Sequence, residues 1–256
     1  MIDTHCHLSD LKFKNDWQEV VEKAVEGGIE LIILPTENLR DAVRAIELSR
    51  QNKYLKVAIG FYPGSIRKEK EIGTKIEQLE RLIGQEKDLV VAIGEIGLDK
   101  YWLERRGTVD KKLFKAQLEL AVKLKLPAVI HQRETEKEIE EIMKSLKELP
   151  KGHFHCWSGS DKFLRYVLKR GFYVGFCGNI TYKSNDQLRD QAKRTPLEKI
   201  LIETDSPYLP PKGKRGQRNE PINVKMVATT IAQVKKMMID RVEKATTENA
   251  RKLYRL

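Results

Sequence analysis

The chain has 256 residues, 40% apolar and 33% charged, with 48 Lys and Arg against 37 Asp and Glu for a formal net charge of +11. That length can bury one large core or two modest ones, and no apolar run approaches the ~20 residues of a membrane span. The first residues lack a charged-then-apolar leader, and the three cysteines (Cys6, Cys156, Cys177) are odd in number, so a cytoplasmic, membrane-free protein with reduced thiols is expected, not a disulfide framework.

In chain order the signal is a short apolar strand followed by an amphipathic helix, many times over. Residues 2–7 read as the first strand, followed by a stripe of Trp17, Val20, Val21, Ala24 and Val25 that Gly27-Gly28 closes. Residues 29–35 form the second strand, with Leu39, Ala42, Val43 and Ile46 behind it, and residues 56–60 the third, with Ile72, Ile76, Leu79 and Ile83. Residues 89–94 precede the stripe Phe114, Leu118, Ala121 and Val122; residues 127–131 precede Ile139, Ile142, Met143 and Leu146. The sixth strand, 153–157, leads to a helix opening at Ser160-Asp161, and the seventh, 172–176, to a shorter one near 186–194. The eighth, 199–204, leads through a Pro/Gly/basic stretch (207–218) to a helical tail over 223–254, broken near Ile239-Asp240.

Strands that are near-continuous apolar runs suit a parallel sheet covered on both faces. With no linker and no repeat beyond the alternation, the expected fold is α/β, a single (β/α)8 TIM barrel over residues 1–256 as one domain. An open doubly wound sheet is the alternative, but no Gly-x-Gly-x-x-Gly follows the first strand.

All five histidines lie on predicted strands. His5 and His7 end the first, His131 ends the fifth, and His153 and His155 lie on the sixth. Residues two apart on a strand share a face, so His5 and His7 project together, Cys6 turns away, and Asp3 lies one layer deeper on the histidine face. Glu95 ends the fourth strand and Asp205 the eighth. Strand C-termini of a closed barrel converge on one mouth. About four histidines and two carboxylates meeting there suffice for two divalent ions, provided one carboxylate bridges them.

The surrounding residues resemble the TatD family of metal-dependent deoxyribonucleases, a branch of the amidohydrolase-like TIM barrels. The stretches that match are Thr4-His5-Cys6-His7-Leu8, Gly94-Glu95-Ile96-Gly97-Leu98-Asp99, His131-Gln132-Arg133-Glu134, His155-Cys156-Trp157-Ser158-Gly159 and Glu203-Thr204-Asp205-Ser206-Pro207-Tyr208. Arg218-Asn219-Glu220-Pro221 and Thr247-Glu248-Asn249-Ala250 complete the set, in the family's order and across essentially the whole chain. The resemblance implies one metal on His5, His7 and Asp205, a second on His131 and His155, and Glu95 bridging them, the ions being Mg, Mn or Zn. Asp205 is then the expected general base. The implied activity is hydrolysis of DNA, from 3′ ends or endonucleolytically, with RNA as a further nucleic-acid partner; a monomer is expected.

The family commonly has a histidine where Gly60-Phe61-Tyr62-Pro63 places Tyr62, so a substrate contact there passes to a phenol or is lost. His153 is an extra histidine, expected behind the ligands, with direct ligation as the alternative. Arg133 is placed to hold a phosphate or to form a structural ion pair, and Glu203, deeper than Asp205, to orient a ligand histidine or pair with a cation. Tyr101, Trp102, Trp157 and Tyr208 follow strands that carry the chemistry and could stack nucleobases or pack locally. Lys100, Lys183, Lys212, Lys214 and Arg215 favour a polyanionic substrate. The alternative function keeps the site and changes the bond: an ester or amide hydrolase such as a D-aminoacyl-tRNA deacylase.

Overall fold

Apolar runs buried on both faces build the sheet in the computed structural model, which describes Met1–Leu256. Its strands are β1 (Ile2–Asp3), β2 (Leu31–Pro35), β3 (Leu55–Ala58), β4 (Val90–Asp99), β5 (Ala128–Arg133), β6 (Gly152–Phe154), β7 (Tyr173–Phe176) and β8 (Ile200–Ile202). They pair in sequence order and all in parallel, from β1–β2 to β7–β8. The seam between β8 and β1 is closed by backbone bonds from Thr4 N to Ile202 O (3.2 Å), Asp205 N to His5 O (2.8 Å) and His7 N to Ser206 O (2.7 Å). The sheet is therefore a barrel, as the alternation predicts.

The helices are α1 (Trp17–Glu26), α2 (Leu39–Gln51), α3 (Ile72–Gln85), α4 (Lys100–Arg106), α5 (Thr108–Leu124), α6 (Glu136–Ser145), α7 (Asp161–Lys169), α8 (Asp186–Arg194), α9 (Val224–Lys235) and α10 (Ile239–Tyr254). Their starts follow side-chain caps where the sequence supplies them: the Asn38 carboxamide accepts from Arg40 N and Asp41 N, and the Ser160 hydroxyl from Phe163 N. None is long and apolar enough to cross a membrane. Their apolar stripes and the outward strand residues form the larger core, which includes Ile32, Leu34, Val57, Phe114, Phe154 and Ile202. A smaller core lies inside the barrel, where Ala250, Leu253 and Tyr254 of α10 pack with Ile2, Ile33, Val129 and Leu201. The inside is thus apolar at the floor, and the polar residues sit above it.

Three departures from the expected elements bear on the site. β1 stops at Asp3, so His5 and His7 lie on irregular chain beyond it. β4 runs on to Asp99, so Glu95 sits in mid-strand and not at its end. Its register against β5 shifts between Ile93 and Ile96, and Gly97, paired with His131, takes φ 143°. A Cβ on Gly97 would fall on the His131 carbonyl, so only glycine fits there. Finally, two helices, α4 and α5, follow β4 in place of one.

Candidate metal centre

Backbone bonds from Cys6 N to Ile33 O (3.1 Å) and from His7 N to Ser206 O (2.7 Å) pin the segment after β1 between β2 and β8. Cys6 faces the core, and both imidazoles face the mouth beside Glu95 and Asp205. Glu95 is set from the other side, its N–H donating to Thr36 O (3.0 Å).

Two groups of donor atoms result. In the first, His5 Nε2 lies 3.2 Å from His7 Nε2, 3.4 Å from Glu95 Oε2 and 3.6 Å from Asp205 Oδ1. His7 Nε2 lies 3.6 Å from Glu95 Oε2 and 3.4 Å from Asp205 Oδ1. Ligands ~2.0–2.1 Å from a tetrahedral centre stand ~3.3–3.4 Å apart, which is the spacing these atoms show. In the second, Glu95 Oε1 lies 2.9 Å from His131 Nδ1 and 2.7 Å from His155 Nε2, and those nitrogens are 3.0 Å from each other. Facing imidazole nitrogens at such distances share at most one hydrogen between them. The second group stands closer, at hydrogen-bond spacing, but its two imidazole nitrogens and one carboxylate oxygen lie within 3.0 Å of one another, so the donor chemistry of both groups suits a divalent ion. Each Glu95 oxygen faces one group.

Burial disfavours charge throughout, but opposite neighbours overcome it at most positions. Against its burial, Glu95 is held well below the usual carboxylate range by the imidazoles of His155, His131 and His5. His7 is likewise pushed up to about 9 by Asp205 and Glu95, and His131 to about 9 by Asp99 and Glu95. For His5, burial and the neighbouring His155 prevail over Glu95 and bring it down to about 4.

Behind the second group stands Asp99, which closes the Gly94-Glu95-Ile96-Gly97-Leu98-Asp99 stretch. Its Oδ2 lies 3.0 Å from His131 Nε2, and its Oδ1 accepts from Arg133 Nη2 at 2.9 Å. A carboxylate on one ring nitrogen leaves the other lone pair for a cation. The signal was present: positions 95, 97 and 99 share a strand face. Asp99→Asn is expected to weaken Mn(II) binding ~10–100-fold in titration calorimetry; unchanged affinity rules this role out. Tyr62 joins the same group, with Oη 3.2 Å from His131 Nε2 and donating to Asp99 Oδ2 at 3.4 Å. Its burial and the charges of Glu95 and Asp99 raise its pKa, keeping the phenol neutral.

Other expected residues are distributed unevenly. Arg133 is anchored on Asp99 with its side chain 57% exposed. Trp102 is half-buried against Gly64 and the edge of Tyr101, with the Arg106 guanidinium over its ring. Trp157 is not available to substrate: it is 2% exposed, stacked on Phe163, and its indole N–H donates to Gln191 Oε1 at 3.0 Å. The chain bends after β6, where Cys156 takes φ 43° and Trp157 N bonds Gly175 O (2.9 Å), and the ring lies in the outer core. Asp3 is also outside the donor groups, its carboxylate accepting from Thr204 N, Thr204 Oγ1 and His5 N near the β1–β8 seam. The exposed aromatic residues after the site strands are Tyr101 and Tyr208, at 47% and 42%. His153 and Glu203 lie fully buried deeper in the barrel.

Residues 2–255 match the model of a family described as TatD related DNase. The chain is 35% identical to the uncharacterized metal-dependent hydrolase YabD of Bacillus subtilis (strain 168), with 100% of this chain and 99% of that protein covered. The crystal structure of YjjV, a TatD homolog from Escherichia coli K12, superposes with a TM-score of 0.92 at 29% identity, covering 100% of this chain and 98% of that one. A TatD family hydrolase from Entamoeba histolytica gives a TM-score of 0.87 at 26% identity, covering 99% and 97%.

Proposed function

We propose that this chain, which belongs to the TatD-related DNase family, is a metal-dependent hydrolase that cuts DNA phosphodiester bonds with two divalent ions sharing Glu95. The observation that carries this is the pair of Glu95 oxygens, each turned to its own group of imidazole nitrogens. Divalent ions held there would supply Lewis acidity, which lowers the pKa of water and offsets charge on phosphoryl oxygens.

The protein's part is to place charge and receive a proton. Asp205, with 13% of its side chain exposed against 3% for Glu95, is the carboxylate that water reaches, and its second oxygen, not the Oδ1 turned to His5 and His7, accepts the proton of the attacking water. The Arg133 guanidinium, held by Asp99, binds the phosphate whose negative charge grows in the transition state. Tyr62 contributes a neutral O–H beside it. The donor atoms are sunk inside the barrel, which favours a single strand or a frayed 3′ end over an intact duplex. Tyr101 and Tyr208 offer exposed rings to its bases, with Trp102 packed behind Tyr101. Arg133→Ala is expected to raise KM for a single-stranded oligonucleotide ~10–100-fold, since a charged hydrogen bond is worth ~1.5–3 kcal/mol. A lower melting temperature with unchanged KM would leave Arg133 a structural ion pair.

One observation favours a second substrate class. Beside His7 is a recess of about 120 Å³ lined by Asp10, Glu37, Asp41 and Tyr208. Carboxylates there repel phosphate but suit the ammonium of an aminoacyl ester, as in a D-aminoacyl-tRNA deacylase. Labelled single-stranded DNA and D-aminoacylated RNA, each with and without chelator, separate the two. Chelator-sensitive release from DNA supports the nuclease, and release from the RNA ester alone replaces it.

A further inference from the structure

Below the donor groups, fully buried Glu203 gathers contacts from three parts of the barrel, those of β1, β6 and β7. Its Oε1 accepts from Cys156 N and from Cys177 Sγ (3.3 Å) and lies 3.9 Å from His155 Nδ1. Its Oε2 accepts from Thr4 Oγ1 at 3.2 Å and faces His153 Nε2 at 3.4 Å. Gly175 makes the room, because a Cβ there would press on this carboxylate. Two of the nitrogens around it, His155 Nδ1 and His153 Nε2, are buried and make no hydrogen bond, and the Glu203 carboxylate is the acceptor each of them faces. On the far side of His153, Nδ1 lies 3.0 Å from the Tyr254 hydroxyl, which α10 delivers from the apolar barrel floor.

We propose that His153 and Tyr254 are positioning residues for the metal centre, holding Glu203 from below so that it fixes which ring nitrogen His155 turns towards the ion. This rests on the metal centre proposed above. An imidazole that offers its Nε2 lone pair to a cation carries its proton on Nδ1, and for His155 the acceptor facing that Nδ1 is Glu203. An ionised carboxylate only accepts, so opposite Glu203 Oε2 the His153 proton belongs on Nε2, and Nδ1 is left to accept from the Tyr254 hydroxyl. The direction of donation therefore runs from Tyr254 through His153 to the carboxylate. Remove the tyrosine hydroxyl, and His153 can turn a lone pair towards Glu203 Oε2, which leaves Cys156 N, Cys177 Sγ and Thr4 Oγ1 as the donors to the carboxylate and shifts its place opposite His155. Burying a histidine and a tyrosine hydroxyl on a barrel floor is costly compared with apolar packing; orientation of the ligand shell is what they give in return.

The test is Mn(II) titration calorimetry on chelator-stripped protein, with the melting temperature of the metal-free protein as control. Tyr254→Phe is expected to weaken Mn(II) binding about 3–10-fold and His153→Leu about 10–100-fold, at unchanged stoichiometry. His153→Gln, which keeps a donor towards Glu203, is expected to recover most of the loss. Affinities within twofold of wild type, with only the melting temperature lowered, overturn the proposal, and Tyr254→Phe alone decides it should His153→Leu not fold. Loss of one ion in His153→Leu also overturns it, because His153 is then a ligand. A wild-type protein that binds no Mn(II) overturns it together with the metal centre itself.

Discussion

Glu95→Gln is expected to leave a folded barrel whose turnover is lower by on the order of 10³–10⁴-fold, since the charge stabilisation a bridged metal centre supplies is several kcal/mol. The side chain is 3% exposed and nearly isosteric with glutamine, so packing around β4 is kept. What changes is polarity. Both carboxylate oxygens accept, one towards His131 and His155 at 2.9 and 2.7 Å, the other towards His5 and His7 at 3.4 and 3.6 Å. An amide has one acceptor and one donor, so in either orientation one group faces N–H where it needs a lone pair. The charge is lost as well, and the imidazoles now hold Glu95 firmly ionised. Metal analysis should fall from two ions to at most one, with circular dichroism and melting close to wild type. Two ions bound and normal rates in this variant would refute the bridging role.

How much of this was legible in the sequence depended on whether the cue was local. The eight-fold alternation and the His-x-His beside Glu95, His131, His155 and Asp205 are local patterns, and the barrel brings them together as expected. Glu95 was expected at a strand end, after an apolar run over residues 89–94; β4 instead continues past a register shift between Ile93 and Ile96 to Asp99. Asp99 was missed for the same reason, although it shares a face with Glu95. Asp3 fails the two-residue rule because β1 ends there and alternation has no force on irregular chain. Trp157 was a candidate for base stacking or for local packing because it stands beside His155, and the structure has it packed, with Gln191, 34 residues on, taking its N–H. The partner of His153 is 101 residues away on the last helix, a distance over which no periodicity speaks.

Asp205→Asn separates the two halves of the centre, because it alters the first group and leaves the second whole. Asp205 adopts φ 57° with its N–H bonded to His5 O at 2.8 Å. Asparagine tolerates this left-handed conformation better than most residues, so the loop after β8 should hold. The amide keeps one acceptor for His5 Nε2 and His7 Nε2, now at 3.6 and 3.4 Å, but it cannot take up a proton at neutral pH. The expected result is a kcat lower by ~10²–10⁴-fold, the usual share of general-base catalysis. An ion held by Glu95, His131 and His155, as proposed, should remain, as none of those residues is touched. A variant with one ion and no turnover shows that the first group carries the chemistry and the second is insufficient alone. Full kcat would place the proton acceptor elsewhere, and Glu37, half-exposed beside His7, is the carboxylate to replace next.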